Sequence, residues 1–113
     1  MNVKWSIKNG KKYLHFLFDE YLNKDQAQKL IQDWEKLTVN HSDKICLIWD
    51  CSKMEGYDPD ARKLWQDKLK KIKSSIDTIW LISNSNIIKM GASIMSMFMP
   101  FKIKNVSSEN EIK

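Results

Sequence analysis

Apolar and polar positions change rhythm along the chain, and each change marks an element. Val3 to Lys8 alternates, with Val3, Trp5 and Ile7 set against Lys4, Ser6 and Lys8. Successive strand side chains point to opposite faces, so this segment is a half-buried strand. Asn9-Gly10 follows, the dipeptide that best tolerates positive φ in a tight hairpin turn. Tyr13 to Phe18 is then the returning antiparallel strand.

Ala27, Leu30, Ile31, Trp34 and Leu37 fall on one stripe of a helix over residues 24–38,. Asn23 and Gln26 have the spacing of a capping box at its start,. Ile45 to Trp49 is an unbroken apolar run that stops at Asp50. A short run without alternation suits a strand buried on both faces, as in parallel sheets. Residues 51–57 read as a loop containing Gly56. Asp58-Pro59 begins a second helix, with Asp as cap and Pro at the first helical position,. Ala61, Leu64, Trp65, Ile72 and Ile76 form its stripe, and Arg62, Lys63, Lys70, Lys71 and Lys73 its other face.

Ile79 to Ile82 is a further buried strand, and Ser83 to Asn86 a polar turn. Ile87, Gly91, Ile94, Met95 and Phe98 mark a third helix, stopped by Pro100. Phe101 to Val106 alternates again, as an edge strand does, and residues 107–113 read as a short turn or frayed tail,. The order is β-β-α-β-α-β-α-β. The expected fold is α/β: a mostly parallel central sheet flanked by helices, with an N-terminal antiparallel hairpin. Length, 113 residues, fits one domain over 1–113,.

Composition narrows the function classes. Apolar residues are 42% and charged residues 29%, which excludes a wholly disordered chain,. The net charge of +5 is uneven, because residues 61–113 hold most of the excess lysine. Arg62 is the one arginine. Specific phosphate and base readout leans on Arg, and no aromatics interleave the lysines, so no specific nucleic-acid site is expected. Cys46 and Cys51 are not in C-x-x-C spacing, and with His15 and His41 they make no metal-ligand pattern,. Neither a metal nor a cofactor is expected, and the setting reads as reduced and cytoplasmic. Met1 to Trp5 lacks an apolar leader, and the longest uncharged run, residues 90–101, is too short to span a bilayer,.

Catalysis finds little support. Cys51-Ser52 beside Asp50 offers a nucleophile only if His15 or His41 comes near, and no nucleophile-elbow, phosphate-loop or zinc motif is present,. A non-enzymatic protein is expected.

The order of elements and the loop after the third strand resemble the STAS domain family. Such domains occur in anti-sigma-factor antagonists and in the cytoplasmic tails of anion transporters. Asp50, Ser52 and Asp58 match the family's pattern of strand, Asp, one residue, Ser, and then Asp at a helix start. Gly56-Tyr57-Asp58, Ala61-Arg62, Trp65-Gln66 and Met90-Gly91-Ala92 resemble a small stand-alone bacterial branch, sometimes grouped with lipid-binding domains of similar topology. The family's phosphoacceptor Ser follows the second Asp. Here Pro59 stands in its place and has no hydroxyl.

The resemblance implies a regulatory module that binds another protein without the usual phosphoserine switch. Asp50, Ser52, Tyr57, Asp58, Arg62 and Met97 are the candidate partner-binding residues. Simpler roles compete: Asp50 ordering the loop, Asp58 capping the helix, Tyr57 packing as a hydrophobic staple. The alternative function is binding of a small apolar ligand or lipid in a pocket lined by Trp80, Met90, Ile94 and Met97. A homodimer through the Met-rich third helix fits either reading.

Overall fold

The Asn9-Gly10 turn forms as its residues demand. In a computed structural model, which describes residues 1–97 and 99–113, Asn9 has φ 52° and Gly10 φ 77°. The turn joins β1 (Asn2–Lys8) to β2 (Lys11–Leu17), paired antiparallel. A two-residue strand β3 (Tyr21–Leu22) leads into α1 (Lys24–Thr38). The Asn23 side chain accepts from the Gln26 N–H at 2.8 Å, and the Gln26 side chain accepts from the Asn23 N–H at 3.1 Å. Next come β4 (Ile45–Asp50), β5 (Gly56–Tyr57) and α2 (Pro59–Ile72). The chain closes with β6 (Ile76–Ile82), α3 (Asn86–Ser96) and β7 (Lys102–Val106).

The main sheet has the order β1-β2-β4-β6-β7, parallel except for the first pair. All three helices pack on one face, over a core that includes Phe16, Trp34, Trp49, Trp65 and Leu81. Trp65 sits among aromatic rings, with centroids 5.4 to 6.1 Å from Phe16, Phe18, Trp34 and Trp49. The opposite face buries Tyr13, Cys46, Ile48, Trp80 and Ile82 under Ile112. Residues 107–113 therefore do not fray: a 3₁₀ turn at Glu109–Glu111 seats Ile112 on the sheet.

Four details depart from the sequence pattern. Ile76 leaves the helix stripe and starts β6, because parallel pairing with Ile45 claims it. The core side of α2 is Ala61, Trp65 and Leu69. Gly56–Tyr57 is not plain loop but pairs in parallel with Tyr21–Leu22. In α3 the buried side is Ile88, Gly91 and Ala92, so Ile87 and Ile94 face outward. The small Gly91-Ala92 pair lets this helix approach its neighbours closely, and packing there outweighs side-chain hydrophobicity. Phe98, read as part of the same stripe, lies outside the described residues.

Candidate functional site

The segment from Asp50 to Asp58 leaves the carboxyl end of β4, where open α/β sheets commonly build their sites. Backbone bonds hold it firmly: Cys51 N–H donates to Ile82 O at 2.9 Å, Glu55 N–H to Glu20 O at 3.2 Å, and Asp58 N–H to Leu22 O at 2.9 Å. The Asp50 Oδ1 atom accepts from Ser52 N–H at 3.1 Å and from Ser52 Oγ at 2.6 Å. These two residues order the loop. Asp58 stands at the N-cap of α2, yet its side chain does not cap the helix. Its Oδ1 instead accepts from the Tyr21 hydroxyl at 2.7 Å. Ionising Tyr21 would forfeit that bond, so its pKa is raised above 10.0. Tyr21 had no signal in the sequence, because β3 and β5 are each too short to show a pattern.

Tyr57 is half-buried and lies across α3, its hydroxyl packed against Gly91. Gly56 has φ +149° and sits under the Tyr21 ring, with 3.2 Å left for a Cβ, so glycine suits this close approach,. Beneath Tyr57, between α2, α3 and the ends of β4 and β6, is a cavity of about 50 Å³. Phe18, Trp49, Leu81 and Met95 are among its apolar walls, and Arg62 is the one charged side chain among the described residues lining it.

The structure thus brings Asp50, Ser52, Tyr57, Asp58 and Arg62 to one end of the sheet. Met97 is not with them: it caps the far end of α3, nearly two turns beyond Gly91,. The alternative pocket residues do not come together. Trp80 lies on the opposite face of the sheet, with the Lys104 Nζ 5.0 Å from its ring centroid. Met90, Ile94 and Met97 point outward at 64%, 45% and 57% exposure. Beta-strand alternation placed Trp80 and Leu81 on different faces, so only one of them could reach the helices.

Cys51 is buried, and burial first, then the Asp50 charge, pushes its thiol far up. Burial lowers the pKa of His15, and Lys8 and Lys4 add to this against Glu109 and Asp50. His15 Nε2 lies 3.6 Å from Glu109, and the His41 ring lies tilted at 35° against Trp5, 5.1 Å between ring centroids. Neither arrangement makes a thiolate–imidazole pair with Cys51. Among the described residues no cluster of His, Cys, Asp and Glu could hold a metal ion, and no helix is long and apolar enough to cross a membrane.

No family model matches the chain, and no curated protein matches it. Among solved structures it is similar to an uncharacterized protein of the DUF3478 family with a SpoIIAA-like fold, from Shewanella loihica PV-4. The two superpose with a TM-score of 0.82 at 13% identity, over 96% of this chain and 87% of that one. The fold is SpoIIAA-like, which is the STAS-like architecture that the element order resembles.

Proposed function

We propose that this chain is a non-enzymatic regulatory module that binds another protein through the outer face of α3. One observation carries the reading: Ile87, Met90, Ile94 and Met97 form an apolar ridge along the helix, at 73%, 64%, 45% and 57% exposure. Apolar side chains exposed singly are ordinary, but a contiguous row of them marks a contact surface. Thioethers adapt to varied partners. The ridge has a firm base, because Ile88 and Ala92 hold the same helix to the core.

α3 carries Lys89 and no acidic residue. An apolar partner helix with an acidic border is the surface that fits it. Tyr57, whose hydroxyl packs against Gly91 in the middle of α3, extends the contact toward the strand ends. The family's phosphoserine switch has no acceptor at Pro59, so control of binding falls to another feature.

The test compares wild-type protein with Met90→Glu/Ile94→Glu as baits in lysate of the source organism. Both side chains are exposed, so the variant keeps its fold, checked by circular dichroism. A partner held by the wild type and lost by the variant supports the reading. Equal capture by both baits overturns it. Sedimentation of the pure protein separates self-association from binding of a different protein.

A further inference from the structure

The two most exposed large apolar side chains among the described residues are Val39, at 76%, and Ile7, at 74%. They stand at one corner of the molecule with the exposed Leu37. Trp5 and Ile7 share a face of β1, and the Trp5 indole N–H donates to Leu37 O at the end of α1, at 3.2 Å. A groove beside Trp5 is lined by Lys12, Lys36, Leu37, Val39 and His41. Lys12 is the cross-strand partner of Ile7, and its Nζ lies 4.1 Å from the Trp5 ring centroid. Lysines continue from this corner across the end of the molecule where the parallel strands begin. Lys11 opens β2, and Lys44 stands just before β4. Tyr13 pairs with Cys46, so these two lysines lie side by side. Ile45 pairs with Ile76, which brings the 3₁₀ turn Lys73–Ser75 next to Lys44. Lys36 and Lys71 are in the last turns of α1 and α2, where helix C-termini favour cations. Lys11, Lys12 and Lys44 lie outside the helices, so that effect does not account for them. Asp43 and Asp77 are interspersed here, while Asp50, Glu55, Asp58 and Asp60 gather at the opposite end of the strands. Charge is thus separated along the strand direction.

We propose that this basic end docks on an anionic membrane surface. Ile7, Leu37 and Val39 enter the headgroup layer, and the lysines around them face the lipid phosphates. Docking of this kind grows with the apolar area that enters the interface and with the attraction of lysine to anionic lipid. A nucleic-acid backbone would use the same lysines but has no place for three exposed aliphatic side chains. The surface lies at the β1 edge of the sheet, whereas α3 packs near β7 at the other edge. It is therefore separate from the outer ridge of α3 and stands or falls independently of partner binding.

The test is co-sedimentation of the whole chain with vesicles at low salt. The vesicles are phosphatidylcholine alone, or phosphatidylcholine mixed with phosphatidylglycerol. The protein should bind the mixed vesicles and not the neutral ones. Lys36→Glu/Lys44→Glu/Lys73→Glu should weaken binding by roughly a hundredfold or more, at about fivefold for each lysine removed. Lys24→Glu/Lys53→Glu/Lys63→Glu changes the net charge equally at exposed positions elsewhere, and should bind nearly as the wild type does. Ile7→Ser/Val39→Ser keeps every charge and should weaken binding by roughly tenfold. All replaced side chains are exposed, and circular dichroism checks that each variant is folded. Equal binding to both kinds of vesicle, or none to either, would overturn the proposal. So would equal losses in the two triple variants, an unaffected Ile7→Ser/Val39→Ser variant, or tighter binding to a short DNA duplex than to the mixed vesicles.

Discussion

Gly91 is where a single methyl group has the clearest consequence. A Cβ there would meet the Tyr57 hydroxyl. Alanine favours a helix over glycine by about 1 kcal/mol. Overpacking costs roughly 1–3 kcal/mol. Gly91→Ala should therefore lower stability in urea unfolding, and adding Tyr57→Phe should restore much of the loss by removing the offending oxygen. A double variant no more stable than Gly91→Ala alone would mean that Tyr57 does not rest there. Cys51 offers a second check. Its thiol is buried and pushed up, and the thiolate is the reactive form. Iodoacetamide should spare Cys51 in the native protein at pH 8 and label it only after denaturation; rapid native labelling would restore it as a nucleophile.

His15 sets a pH dependence. Its folded-state pKa lies below 6.5. The unfolded chain then binds more protons than the folded one as pH falls through that range, so this contribution is full above it and is lost toward acid. Between pH 7 and pH 5 the wild type should lose stability faster than His15→Gln in parallel urea titrations. At this scale the sequence showed Asp50 and Ser52 as loop residues because their spacing is local. Tyr21 escaped it, because its role comes from a contact with the distant Asp58.

Among the elements, α1 was the most legible: its cap and both its ends agree with the structure, and of its stripe Leu37 alone is exposed. Asn23→Ala should cost about 1 kcal/mol through the lost capping box. The second helix was legible at its start, where Asp58-Pro59 is an unambiguous signal, and not at its end. Ile76 lies four residues past Ile72, so helical spacing alone could not exclude it; pairing with β4 decides. Leu69 is fully buried, and Leu69→Ala should cost roughly 2–5 kcal/mol, read as a shifted denaturation midpoint. The rotation of α3 was the largest misreading. Two neighbouring stripes compete there, and the small pair Gly91-Ala92 settles which one faces inward.

At the scale of the whole molecule, the alternation of strands and helices was enough to give the sheet and its one antiparallel pair. It could not show that all helices share a face, nor that Ile112 returns to cover the other. That asymmetry shapes the functional account, because the helical layer holds both the cavity at the strand ends and the outward ridge of α3. The central claim is that this ridge meets a partner protein. The direct measurement places a photo-crosslinking amino acid at Met90 in the source cell, with Lys70 on the exposed side of α2 as the control. One discrete crosslinked species is expected from position 90 and none from position 70. No species from position 90, or the same species from both positions, would contradict it.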